Sequence, residues 1–236
     1  MKILAFDTAT METTCALVED EKVVAEASVN SMASHSEGLI NMIQGMLDRA
    51  DWAMEDLDLI ATGVGPGSFT GLRISVVLAK VFARSLNIPV VGVSTLKALA
   101  REVATDGVVI PLFDARRERV YAGVFEKKGG ELLRLKKDDA YAVASMIEDA
   151  PKGAVLIGDG LKKYREAFSA REDFILYPDH LSRVSAAAIA LEGAAQYEAE
   201  GPSNPYALEP NYLRPTQAMR EYRRKHGESL DAGSDA

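Results

Sequence analysis

Val108-Val109-Ile110-Pro111-Leu112-Phe113-Asp114 is a short apolar run that stops on an aspartate, and it repeats the start of the chain, Ile3-Leu4-Ala5-Phe6-Asp7. Short apolar runs bounded by polar residues read as buried strands. The segments after each run come in the same order. After Asp7 the patterns give strands at Thr14 to Glu19 and Lys22 to Val29, a helix at Ser36 to Ala50, and a strand at Leu57 to Val64. A helix at Leu72 to Leu86, a strand at Pro89 to Val93 and a helix from Thr95 complete the half. After Asp114 come strands at Arg119 to Glu126 and Glu131 to Leu135 about a Gly129-Gly130 turn, then a helix at Ala140 to Asp149. Next are a strand at Ala154 to Gly158, a helix at Leu161 to Phe168, a strand at Phe174 to Tyr177 and a helix at Ser185 to Glu200. Both halves read β-β-β-α-β-α-β-α. The expected architecture is a duplicated α/β unit in two lobes, residues 1–104 and 105–213, with 214–236 a disordered tail.

That duplicated order is the layout of the actin-like ATPase and sugar-kinase fold, a likeness of fold that leaves function open. The 236 residues suffice for a large core, and 47% hydrophobic with 26% charged residues is ordinary globular composition. A net charge of -8 argues against nucleic-acid binding over the whole surface. The lone Cys15 rules out an internal disulfide, fits a reducing cytoplasm, and sits in a strand pattern where packing outweighs nucleophilic chemistry. No apolar run is long enough to span a membrane and no signal peptide opens the chain. The histidines His35, His180 and His226 are dispersed, so no metal site is expected.

Between the expected strand at 57–64 and helix at 72–86 lies Gly65-Pro66-Gly67-Ser68-Phe69-Thr70-Gly71-Leu72-Arg73. A glycine-rich strand-to-helix turn can cradle a phosphate. This one is not a P-loop, because Gly71 is followed by Leu72 where that motif needs lysine and Ser/Thr. Nor is it a dinucleotide fingerprint, because Thr70 stands where the third glycine belongs and no acid lies in Ile88 to Ser94. The structural reading is that Gly65, Pro66, Gly67, Ser68, Thr70 and Gly71 let a helix approach a strand closely. Arg73, a cation in a first helical turn, implies a specific partner, either a carboxylate or loop carbonyls.

Ile3 to Thr10, Gly63 to Ser75, Val91 to Leu96, Asp114 to Tyr121 and Pro210 to Arg214 resemble, in order and spacing, the TsaB (YeaZ) family. The resemblance is strong over about the first 125 residues. It implies a non-catalytic partner and scaffold of TsaD, the paralogue that transfers threonylcarbamoyl to adenosine 37 of tRNAs reading ANN codons. The ATPase TsaE joins them, and tRNA is touched only indirectly. No cofactor and no catalytic residue are implied. TsaD holds its metal through two histidines four apart. The matching positions here are Thr95 and Leu99, and leucine has no donor atom. The glycine-rich turn by which TsaD approaches phosphates falls on Asp114 to Glu118, which has gained bulk, including Arg116 and Arg117.

Two helices carry more apolar surface than one packing face needs. The first offers Leu39, Ile40, Met42, Ile43, Met46 and Leu47. The second offers Ile74, Val77 and Val81 beside a narrow stripe of Lys80 and Arg84. Both are either core helices or a partner face. The resemblance favours a face that pairs with two helices of TsaD and, in the isolated chain, with a second copy. Beyond 214 the tail carries Arg220, Arg223, Arg224 and Lys225. It reads as solvated rather than as a tRNA contact. The competing functions are an ATP-dependent kinase or ATPase using Asp7 and Asp114, and a metallopeptidase.

Overall fold

The computed structural model describes residues 1–30 and 35–214. The tail beyond 214 lies outside the described residues.

The first half comprises β1 (Lys2–Asp7), β2 (Glu12–Glu19), β3 (Lys22–Asn30), α1 (His35–Ala50), β4 (Leu59–Gly65), α2 (Phe69–Leu86), β5 (Val90–Ser94) and α3 (Thr95–Arg101). The second comprises β6 (Gly107–Asp114), β7 (Arg119–Lys128), β8 (Glu131–Ala142), α4 (Val143–Asp149), β9 (Val155–Ile157), α5 (Asp159–Lys163), α6 (Arg165–Ser169), β10 (Ile175–Leu176) and α7 (Ala186–Glu200). Two five-stranded sheets result, ordered β3-β2-β1-β4-β5 and β8-β7-β6-β9-β10. In each, the first three strands are antiparallel and the later two run parallel to the first. This is the duplicated actin-like fold that the repeat implied.

Strand alternation decides which layer each residue joins. Along β1, Leu4 and Phe6 point to the layer of α1 and α2, where they meet Leu39, Ile43, Leu47, Val76 and Ala79. Ile3 and Ala5 point to the opposite side, where they meet Ala186, Ile189 and Ala190 of α7. That second cluster also contains Leu96 and Leu99 of α3 and Val109, Phe125 and Ile157 of the second sheet, so one core joins the halves. Helix α7, in the segment expected as the second lobe, thus lies against the first sheet. The outer face of the second sheet packs Ile110, Leu112 and Val120 on Met146 of α4 and Phe168 of α6.

Two elements differ most from expectation. β8 continues to Ala142, where a helix was expected from Ala140, because its pairing with β7 runs through Asp139 to Ala142. The helix expected over Leu161 to Phe168 is broken at Tyr164, whose φ of -112° and ψ of 24° lie outside the helical region. Cys15 is buried in β2, and burial, with the nearby charge of Glu26, pushes its thiol up to about 12. That removes it as a nucleophile at neutral pH. Among the described residues no helix is long and apolar enough to cross a membrane.

Candidate functional site

The glycine loop is fastened to the β1–β2 turn. Ser68 N–H donates to the Ala9 carbonyl at 2.6 Å, and the Thr8 hydroxyl donates to the Gly71 carbonyl at 2.6 Å. Ser68 also caps α2, its hydroxyl accepting from Gly71 N–H at 3.3 Å. A Cβ at Gly71 would overlap the Thr8 carbonyl oxygen, and one at Gly67 would overlap that of Ala9. The glycines therefore do what close packing asks of them.

Below the loop lies Asp7, buried at the end of β1. Its Oδ2 accepts from the Thr95 hydroxyl at 2.7 Å, Ala9 N–H donates to its Oδ1, and Thr95 Oγ1 accepts from Gly65 N–H at 3.1 Å. This chain of bonds ties β1, the loop and α3 together. It also uses the hydroxyl of Thr95, and Leu99 is buried in the shared core. Those two positions therefore do not fit the metal that a histidine pair would hold. Burial pushes the Asp7 carboxyl up to about 6, against the bonds from Ala9 and Thr95. Between the ordinary 3.8 and about 6 the folded chain keeps a proton that the unfolded chain has lost, so stability falls as pH rises through that window. The full loss is about 3 kcal/mol, of which a little under half lies between pH 5 and 7. Urea unfolding of wild type and Asp7→Asn at both pH values is expected to show their stability difference change by that amount.

Asp114, the counterpart of Asp7, stands half-buried at a cleft between the halves. Lys163 Nζ donates to its Oδ2 at 2.6 Å, while Arg116 N–H at 2.8 Å and the Tyr164 hydroxyl at 3.2 Å donate to its Oδ1. Burial acts to raise its carboxyl, but these bonds outweigh it and hold the group below the ordinary carboxylate value. The cation on Asp114 is Lys163, and Arg116 contributes its backbone N–H. The bulky turn that replaces a glycine-rich one takes an unusual shape. Arg116, Arg117 and Glu118 all have positive φ, 60°, 54° and 54°, each conformation costing a non-glycine residue about 1–2 kcal/mol. Val143 N–H on the Glu118 carbonyl at 3.0 Å and Ala115 N–H on the Arg119 carbonyl at 3.0 Å hold it closed. The cleft has about 500 Å³, lined by Pro66, Gly67, Ser68 and Thr70 on one side and Asp114, Arg116 and Asp159 on the other.

The residues proposed from sequence as a partner face divide. Leu39, Ile43, Met46 and Leu47 are buried in this chain's own core and Met42 is half-buried, so of the α1 set only Ile40 stands well exposed, at 49%. These positions belong to the packing face because the 3.6-residue period alone does not separate one apolar stripe from two. On α2, Val77 is 57% and Val81 50% exposed, Arg84 is exposed, and Ile74 and Lys80 are half-buried. Among the described residues Arg73 has neither a carboxylate nor a loop carbonyl as partner. Its Nε donates to the Tyr212 hydroxyl at 3.0 Å, and its guanidinium lies 4.0 Å from the centre of the Phe69 ring.

Sequence reasoning passed over three contributors. Gly158-Asp159-Gly160 after β9 is a second glycine loop in the matching place, and Asp159 accepts Asp114 N–H at 2.9 Å. Tyr206 and Tyr212 belong to a segment, residues 201–214, that returns to the first sheet. There Ser203 N–H donates to Val90 O at 2.8 Å and Asn211 N–H to Val64 O at 2.7 Å. The glycine pair was readable; the return of a loop segment across 139 positions of sequence was not.

Comparison with known proteins places this architecture. A family model described as TsaD, tRNA N6-adenosine threonylcarbamoyltransferase, matches residues 23–222. The protein from Bacillus subtilis named tRNA threonylcarbamoyladenosine biosynthesis protein TsaB is 39% identical over 149 residues, 63% of this chain and 65% of that protein, slightly under two thirds of its length. The protein of the same name from Buchnera aphidicola is 32% identical over 186 residues, 75% of this chain and 88% of its own. The solved structure of YeaZ from Pseudomonas aeruginosa superposes with a TM-score of 0.78 at 25% identity, over 90% of this chain and 99% of that one. The chain belongs to the tRNA N6-adenosine threonylcarbamoyltransferase family and, within it, to the TsaB (YeaZ) branch.

Proposed function

We propose that this chain takes part in tRNA threonylcarbamoyladenosine biosynthesis as a non-catalytic subunit. It pairs with TsaD through α1 and α2 and activates it, in the cytoplasm, with TsaE as the third component. The modified base is adenosine 37 of tRNAs reading ANN codons. The observation that supports this best is the exposed apolar row on α2. Val77 and Val81 lie one turn apart, both at least half exposed, on a helix whose other side is packed into the core. The lack of donor atoms for a metal at Leu99 supports the non-catalytic role. When TsaD is absent, the same row allows weak pairing with a second copy, which TsaD displaces.

A kinase or ATPase reading needs Asp7 free to act. It is buried, bonded to Thr95 and Ala9, and does not line the cleft.

Light scattering of the chain mixed with TsaD of the same source tests the reading. Wild type is expected to form a stable mixed complex. Val77→Glu with Val81→Glu should weaken it about 100-fold or more, while the melting temperature of the isolated chain stays put because both side chains face solvent. A complex that survives both charges sinks the α2 face.

A further inference from the structure

Helix α2 carries Arg73, Lys80 and Arg84 and no aspartate or glutamate, in a chain of net charge -8. Elsewhere, cations find carboxylates: Lys97 and Arg101 on Glu192, Lys163 on Asp114, Arg165 on Asp179. Among the described residues none of the α2 cations has a carboxylate at salt-bridge distance. Neutral groups of the returning 201–214 segment hold them instead. Arg73 bonds the Tyr212 hydroxyl over a Phe69 ring that is itself stacked on Tyr212 at 4.7 Å. Lys80 Nζ donates to the Tyr206 carbonyl at 3.4 Å, and the Arg84 guanidinium lies 4.7 Å from the centre of the Tyr206 ring. An aromatic face orients a cation without cancelling its charge.

We propose that this face is built for a partner whose apolar patch is rimmed by carboxylates, and that its fixed cations rank such a partner above a second copy of this chain. The proposal rests on the α1–α2 partner face and names its chemistry. In a symmetric pair a patch meets itself, so α2 against α2 sets cation against cation, and α2 itself carries no acid. An acidic rim instead speeds encounter and fixes register. Because the tyrosines already hold the cations in place, little side-chain freedom is lost on docking. Exposed tyrosines beside cations also suit RNA, but Val77 and Val81 at the centre offer nothing to phosphate, and the protein partner is the better fit.

Calorimetric titration with TsaD at about 50 and about 500 mM NaCl tests this, using the full chain as wild type, as R73Q/K80Q/R84Q and as Val77→Glu. Wild-type affinity is expected to fall about tenfold or more across the salt range. The triple variant should be weaker by a similar factor at low salt and lose most of its salt dependence. Its self-association, measured by sedimentation equilibrium, should strengthen. If the triple variant matches wild type in all three while Val77→Glu abolishes the complex, the charge proposal is overturned and the face stands. If neither variant changes the titration, the face itself fails and the proposal with it. Binding of tRNA by the isolated chain that the triple variant loses overturns the proposal in favour of an RNA-binding face.

Discussion

Gly71→Ala is expected to destabilise the chain by about 4 kcal/mol or more, enough to leave little folded protein at 37 °C. The added methyl would overlap the Thr8 carbonyl oxygen, with Thr8 C at 2.8 Å and Ser68 Cβ at 3.4 Å behind it. These are backbone atoms or atoms fixed by the cap, so no flexible side chain swings aside. Relief requires the β1–β2 turn to move away from α2, which breaks the Thr8 hydroxyl bond to Gly71 and the Ser68 bond to Ala9. Gly38→Ala provides the opposite sign. Nothing lies within 4 Å of a Cβ there, the position is in α1, and alanine should stabilise by about 0.5–1 kcal/mol. Urea unfolding of both variants by circular dichroism measures the pair.

Glu192→Ala carries the next largest effect, a loss of about 3 kcal/mol. Glu192 is a buried carboxylate on α7 that accepts from Lys97 Nζ at 2.7 Å and from Arg101 at 2.5 Å, both on α3. Removing it leaves two cations facing each other beside the core that joins the halves. Each cation is about a third exposed and can recover part of its hydration, which keeps the loss at the low end of the range for breaking a buried pair. Replacing all three side chains by methionine should restore most of the stability, because the penalty comes from charge left without its partner rather than from the missing bridge. Thermal melts of Glu192→Ala and of the triple methionine variant distinguish the two. A triple variant as unstable as the single one would mean that the trio itself holds α3 to α7.

The architecture was legible because duplication checks itself: each strand and helix read in one half had a counterpart in the other. Where local pattern and tertiary pairing disagree, pairing prevails. Arg134 to Asp139 is too charged to read as strand, yet it lies on the edge of the second sheet, where one face meets solvent and charge discourages further pairing. Which apolar residues of α1 and α2 stay exposed was only half legible. Leu39, Ile43, Met46 and Leu47 look like Val77 and Val81 in sequence, and only the position of the first sheet separates them. The partner of Arg73 was not legible at all, since Tyr212 is reached through space rather than along the chain.

The placement of α7 has a consequence for synthesis. The strands of the first sheet are all made by residue 94, yet the side that presents Ile3, Ala5, Ala16 and Val18 is covered by residues 186–190. A nascent chain leaving the ribosome N-terminus first therefore holds a finished sheet with one bare apolar side until most of the second half has been translated. The first lobe completes its fold after the second, and the interval between them is when the chain most needs a chaperone.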